Sequence, residues 1–261
     1  MVTTEELYAV YSKHPVISTD TRQITAGCIF FALKGENFNA NAFADAALES
    51  GAAFAVVDDP AVKTSERYLL VPDVLRALQE LARYHRNTLT IPFIGITGTN
   101  GKTTTKELVL SVLSQHFRAF ATRGNLNNHI GVPLTVLSIT PVTEIAIIEM
   151  GANHQKEIGF LCGIARPDHG LITNVGKAHL EGSGGFEGVK VAKGEHYQFL
   201  AQQGGTVFVN RDNTHLTGML RQHQVSKPVY YGTGTGNYIS GRLVSNEPLR
   251  VEWRKDGEGP E

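Results

Sequence analysis

The run Phe93-Ile94-Gly95-Ile96-Thr97 enters a glycine-rich turn, Gly98-Thr99-Asn100-Gly101, and Lys102-Thr103-Thr104-Thr105 opens a helix-compatible segment directly behind it. No other stretch restricts the fold as tightly, because a strand, a tight turn and a helix in that order bring a helix N-terminus to the end of a sheet. Turn glycines let backbone N–H groups converge with no Cβ in the way. The helix adds its positive end, so the turn reads as a phosphate cradle. Lys102 would reach the β- and γ-phosphates of a nucleotide, and Thr103 would offer a hydroxyl to Mg²⁺. The strict form of this pattern has glycine at position 96, where Ile96 stands, and the glycines fall at 95 and 98 instead. A Gly-rich turn with an exposed lysine is the plainer alternative; the strand–turn–helix order favours the cradle.

Around this turn the chain alternates strand and helix. Strands are expected at 93–97, 145–148, 171–173 and 206–209, and helices at 103–116, 155–162 and 186–200. Such alternation predicts a mainly parallel sheet with helices on both faces and ligands at the carboxyl ends of the strands. Beyond Asn210 the chain is glycine- and polar-rich, until 238–244 and 249–255 alternate like a hairpin or meander. Residues 1–85 read as a separate small module. It has a helix over 5–12 capped by Thr4, short buried strands at 28–33, 53–57 and 69–71, and helices at 43–50 and 74–86. The fold class is α/β: a small mixed α/β N-terminal domain (1–85), then a mainly parallel, doubly wound domain (86–261).

Composition removes several function classes. With 261 residues, about two domains are expected. The formal net charge of -1 gives no basic surface for nucleic acid and no polybasic membrane anchor. The cysteines, Cys28 and Cys162, sit in apolar surroundings without CxxC spacing, so buried thiols are expected. The N-terminus shows no basic region followed by an apolar one, and no apolar run approaches the ~20 residues that span a bilayer. A cytoplasmic monomer with no membrane insertion is the expectation.

Other candidate residues follow the apolar strands. Glu149 ends the run Ile145-Ala146-Ile147-Ile148, where a metal–nucleotide complex would sit; alone it reads as a solvated strand-end acid, and the turn tips the reading to a ligand. His179 also follows an apolar strand, and alone it reads as structural or exposed. Lys193 lies on an expected helix and alone has no role. The amide-rich loop Asn125-Leu126-Asn127-Asn128 reads as a ligand loop or as a capping turn before a helix. Asp20-Thr21-Arg22 and Lys34-Gly35-Glu36-Asn37 flank a strand of the first module and offer cations and a glycine for a diphosphate, as many turns do.

Together these motifs resemble the Mur ligase family. The matching residues are Asp20-Thr21-Arg22, Ile29-Phe30-Phe31-Ala32-Leu33-Lys34-Gly35, the turn 95–105, the loop 124–133 and Glu149-Met150-Gly151-Ala152. Thr173-Asn174 through His179-Leu180-Glu181, Ala192-Lys193 and Asn210-Arg211-Asp212 complete the set, in the family's order and over nearly the whole chain. The family's turn, Thr-Gly-Thr-Asn-Gly-Lys-Thr, also accounts for the irregular glycine spacing. The resemblance implies a central P-loop ATPase domain that holds ATP on Gly98, Thr99, Asn100, Gly101, Lys102, Thr103 and Thr104, with Asn210. It implies one Mg²⁺ on Thr103 and Glu149 and a second on His179. Lys193 would be carbamylated, turning a cation into an anionic oxygen ligand; spacing alone never yields that role. Lys102, Lys193 and His179 form the implied catalytic set. Asp20, Thr21, Arg22, Lys34, Gly35 and Asn37 would hold the UDP end of the substrate, and Asn125 and Asn128 would also face substrate.

The implied reaction is ATP-driven amide formation, in the branch of the family that extends UDP-N-acetylmuramoyl-tripeptide with D-alanyl-D-alanine. The terminal carboxylate attacks the γ-phosphate to give an acyl phosphate, and the incoming amine displaces phosphate. Gly182-Ser183-Gly184-Gly185-Phe186 departs from the family's Gly-Phe-Gly-Ser-Phe. Nothing after Val244 resembles the family's adenine-contacting segment or its third domain, so the central domain is expected to be incomplete. Such a chain is expected to fold and to bind the UDP substrate without ligating. The alternatives are a tripeptide-forming Mur ligase, an enzyme like folylpolyglutamate synthase, or a non-catalytic module for a UDP-sugar or nucleotide.

Overall fold

The structure is a computed structural model that describes residues 1–176, 184–226 and 228–256. They fall into two compact units, Met1–Thr90 with Arg123–Pro141, and Ile91–Thr122 with Val142–Glu261.

In the first unit, the strands Ile17–Ser18, Ile29–Phe31, Phe54–Val57 and Tyr68–Leu70 form a parallel sheet in chain order. Both faces are covered, which is why the strands read as continuous apolar runs rather than alternating ones. Phe30, Ala55 and Val57 pack with Ala44, Ala47 and Leu48 of the helix Ala44–Glu49. The helix Val74–Thr88 lies against Ile29–Phe31 and buries Val74, Leu78, Leu81 and Ala82; Asp73 caps it by accepting from Arg76 N. The first helix, Thr4–Tyr11, is capped by Thr3 rather than the expected Thr4, because Glu6 closes a reciprocal capping box with Thr3. The helix expected over 43–50 opens as a tighter 3₁₀ turn, Ala40–Phe43, where the Asn39 side chain accepts from Asn41 N. Arg123–Pro141 returns to this unit. Its helix Gly131–Leu137 packs on Val74–Thr88, Gln79 donates to His129 O at 3.0 Å, and the Tyr11 hydroxyl donates to Leu137 O at 2.6 Å.

In the second unit eight strands form one sheet. Their order is Leu249–Lys255, Ile239–Asn246, Pro228–Gly232, Thr206–Asn210, His169–Ile172, Phe93–Thr97, Ile145–Glu149, Ala119–Ala121. Every neighbouring pair is parallel except the hairpin formed by the last two strands in the chain. Ile94, Ile96 and Ile147 meet Val109, Leu110 and Leu113 of the helix Lys102–Leu113. On the next residue along the strand, Gly95 meets His196 of the helix Gly185–Gln203, so the sheet carries helices on both faces. The strands Ala119–Ala121 and Pro228–Gly232 and the helix Thr214–Gln222 are additional to the elements expected from the sequence pattern. Among the described residues no helix is long and apolar enough to cross a membrane.

Candidate functional site

The strand Phe93–Thr97 lies between Ile145–Glu149 and His169–Ile172. From it the chain runs through Lys102–Leu113 to the edge strand, returns at Ile145–Glu149, and crosses to the other side at His169–Ile172. The strand order therefore reverses at this point, which opens a crevice at the carboxyl ends. Register aligns Ile96 with Glu149 and Thr97 with Ile172.

The turn after Thr97 depends on glycine at two positions. Gly98 has φ +146, and a Cβ there would overlap Thr173 Oγ1 and lie 3.1 Å from Thr173 N. Gly101, at φ 74, precedes the helix Lys102–Leu113, and no side chain caps that helix, so its first N–H groups present an anion site. The turn is fixed from outside. Thr99 N donates to Asn174 O at 3.0 Å and Asn100 N to Asn174 Oδ1 at 3.1 Å. Thr173 Oγ1 and Asn174 Nδ2 donate to Asn100 O at 2.6 and 2.9 Å, and Gly176 N donates to Thr99 Oγ1 at 2.9 Å. Lys102 Nζ folds back onto Gly98 O (3.0 Å) and Thr99 O (3.1 Å), while Thr103 and Thr104 are exposed. Gly98→Ala should push the turn off Thr173. The expected result is a lowered thermal midpoint, about 1–3 kcal/mol of lost stability as for other overpacked sites, read by calorimetric melting; an unchanged midpoint would contradict the packing.

Beside the turn, Glu149 is 1% exposed, and its N–H donates to Thr122 Oγ1 at 3.0 Å. Lys193 is 4% exposed and donates from Nζ to Ala152 O at 3.3 Å. Burial first, then the charge of Lys102, bring its ammonium down to about 8, against the pull of Glu157 and Glu195. The residues after Lys193 lock its helix in place. Glu195 accepts from Lys156 N (2.5 Å) and Gly159 N (2.8 Å) at the start of the helix Glu157–Ala165. His196 is fully buried; Nε2 bonds to Gly95 O at 3.1 Å and Nδ1 to Cys162 Sγ at 3.4 Å. Since Gly95 O only accepts, Nε2 carries the proton and the thiol donates to Nδ1. Burial holds the imidazole down at about 4 and pushes the Cys162 thiol up, so both stay neutral. A Cβ on Gly95 would lie 2.6 Å from His196 Cε1, so glycine is needed there for the helix to reach the sheet.

The structure thus brings 98–104, Glu149 and Lys193 to one sheet edge. Asn210 ends the strand two places from Phe93–Thr97, with Oδ1 accepting from Asp212 N at 3.0 Å. His179 lies outside the described residues. Among the described residues there is no cluster of three or more His, Cys, Asp or Glu side chains to hold a metal. A buried carboxylate and an exposed threonine hydroxyl beside an anion cradle are nevertheless the hard oxygen donors that suit Mg²⁺ with a phosphate chain. Thr97 Oγ1, buried at the same edge, has no hydrogen-bond partner among the described residues. ATP and Mg²⁺ fit these residues.

In the first unit the candidate cations are already paired. Arg22 grips Asp20 through Nε and Nη2, at 2.9 and 2.7 Å, and holds its carboxyl down at about 2. Thr21 lies in the 3₁₀ turn Thr21–Gln23 between them. Lys34 pairs with Asp58 at 2.8 Å, and Asn41 donates to the same carboxylate at 2.7 Å. Lys34 and Gly35 pair with Phe38–Asn39 in a small exposed ribbon, with Asn37 in its turn. Asn128 Oδ1 accepts from Ile130 N (3.1 Å) and Gly131 N (2.9 Å), as a capping turn does, and Asn125 is exposed in the same loop.

Comparison with known proteins adds identity to this geometry. Residues 96–252 match the family described as Mur ligase middle domain, and 15–86 match Mur ligase family, catalytic domain. The UDP-N-acetylmuramoyl-tripeptide–D-alanyl-D-alanine ligase of Escherichia coli (strain K12) is 44% identical over 197 residues, which are 76% of this chain and 43% of that protein. The crystal structure of MurF from Acinetobacter baumannii superposes with a TM-score of 0.82 at 33% identity, over 94% of this chain and 54% of that one. MurF ligase from Thermotoga maritima, solved in complex with ADP, gives 0.81 at 28% identity, over 92% and 56%. The chain spans about half the length of the relatives it matches.

Proposed function

The chain belongs to the Mur ligase family, and from that premise we propose that it serves ATP-dependent addition of D-alanyl-D-alanine to UDP-N-acetylmuramoyl-tripeptide in the cytoplasm. The observation that carries this reading is the phosphate cradle at the switch point, with Glu149 and Lys193 buried beside it. A P-loop ATPase site follows, with 98–104 on the phosphates and Asn210 toward the nucleotide. Lys102 leaves the carbonyls of Gly98 and Thr99 to meet the β- and γ-phosphates. Thr103 and Glu149 would hold Mg²⁺, with His179 and a carbamylated Lys193 at a second ion, and the chemistry supplied there would be neutralisation of charge on the transferring phosphoryl group. The acceptor carboxylate of the tripeptide takes the γ-phosphoryl group to become an acyl phosphate as ADP leaves, and the amine of the dipeptide then bonds to the acyl carbon and expels phosphate. The turn and the helix N-terminus are held by the bonds to Thr173, Asn174 and Gly176, so on this reading the reorganisation that accompanies binding is confined to the Lys102 side chain.

The first unit would take the UDP end through Asp20, Thr21, Arg22, Lys34, Gly35 and Asn37, with Asn125 and Asn128 on the rest of the substrate. Titration calorimetry of this chain is the test, with ATP·Mg²⁺ and with UDP-N-acetylmuramoyl-tripeptide as separate ligands. Both should bind. Arg22→Ala should weaken the UDP ligand about ten-fold, the scale of one charged hydrogen bond, and leave ATP unaffected. Absence of heat with both ligands would overturn the proposal.

A further inference from the structure

Lys106 is wholly buried, an unusual place for a lysine. It lies on the helix Lys102–Leu113, one turn beyond Lys102. Its Nζ donates to Thr122 O at 2.6 Å and pairs with Glu107 at 2.9 Å. Thr122, 1% exposed, directly follows the edge strand Ala119–Ala121. Its N–H continues the parallel ladder by donating to Ile147 O at 3.0 Å. The next bond of an ideal parallel ladder would run from Glu149 N to Thr122 O. Lys106 holds that carbonyl, and Glu149 N donates at 3.0 Å to Thr122 Oγ1 instead. The backbone of Glu149 is thus tied to a side chain, and that side chain's own residue is tied to the phosphate-turn helix.

We infer that Thr122 and Lys106 are positioning residues that set the Glu149 carboxylate for a divalent cation. The inference rests on the reading of Glu149 as a Mg²⁺ ligand. It explains why a long cation is buried behind a phosphate turn: the same helix that carries Lys102 at its start fixes, one turn later, the strand end that bears the acid. Groups that orient a metal ligand commonly matter ten- to a hundred-fold in metal affinity without touching the metal.

The experiment measures ATP affinity of this chain by calorimetry with and without Mg²⁺, and takes the ratio as the magnesium linkage. Thr122→Val keeps the shape and removes the acceptor; it should cut the ratio about ten-fold and leave magnesium-free affinity as it was. Thr122→Ser restores the hydroxyl and should restore the ratio. Lys106→Met should shift the ratio in the same direction as Thr122→Val. Glu149→Gln separates the two layers of the argument. If Glu149→Gln abolishes the linkage while Thr122→Val and Lys106→Met preserve it, the positioning role is wrong and the ligand stands. If Glu149→Gln preserves the linkage, the ligand reading falls and the inference with it. Equal loss in the Val and Ser variants would mean a packing defect and would also overturn it.

Discussion

Lys102→Ala is expected to weaken ATP binding to this chain by roughly ten- to a hundred-fold, the 1.5–3 kcal/mol typical of a hydrogen bond to a charged group. The loss is smaller than a bare Coulomb attraction would suggest, because the ammonium is already engaged with two carbonyls, Gly98 O at 3.0 Å and Thr99 O at 3.1 Å. Binding exchanges those contacts for phosphate oxygens, and only the difference counts. AMP lacks the phosphates that Lys102 would meet, so its affinity should be unchanged by the substitution. Lys102→Arg should not rescue ATP, since a planar fork cannot sit where a compact ammonium folds against the turn. Calorimetry with ATP, ADP and AMP on the three proteins decides it. An equal loss for ATP and AMP would mean that the turn itself had collapsed, and no loss for ATP would remove Lys102 from the site. The substitution has a second consequence. It takes away the positive neighbour that, after burial, holds the Lys193 ammonium down, so Lys193 should become more basic.

What was legible in the sequence was local. The turn and helix at 98–104 announce themselves because glycine, lysine and threonine stand where a cradle needs them. Glu149 is legible because an acid ending a wholly apolar run has only the sheet edge to occupy. The bonds that hold the turn were hidden, since Asn100 and Asn174 are 74 residues apart and meet only through the parallel pairing of their strands. Gly95 stands inside the expected strand 93–97, and a glycine inside a strand is the signal of close approach, here by His196. Lys106 gave no sign at all, because a lysine in the polar first half of a helix is ordinarily solvated, and its contact with Thr122 O joins residues 16 apart that only the folded chain brings together. The helix Thr214–Gln222 did leave a trace: Asn213 caps it, and Leu216, Met219 and Leu220 recur at helical spacing, within a stretch whose glycines suggested loops.

Lys193 is expected to carry a carbamate when the chain is held in bicarbonate near pH 8. Carbamate formation needs the neutral amine: its lone pair forms a bond to the carbon of CO₂ and the N–H proton leaves to solvent. With the ammonium brought down to about 8, roughly half of Lys193 is neutral there, against under about one per cent of an ordinary lysine. The product is an anion, so the charge of Lys102 that opposes an ammonium at this position favours the carbamate. The sign of the pH dependence follows. Lowering the pH below about 8 protonates the amine and removes the modification. In the unmodified chain the folded value, about 8, lies below the unfolded 10.5, so burying the charge weakens the fold at low pH and stability from this group rises between those two values. Carbon NMR with labelled bicarbonate should show one carbamate resonance that disappears on acidification, on CO₂ removal, and in Lys193→Ala. A resonance that survives in Lys193→Ala would place the modification elsewhere, and no resonance at pH 8 would leave Lys193 an ordinary buried amine, with no anionic ligand to offer a second metal ion.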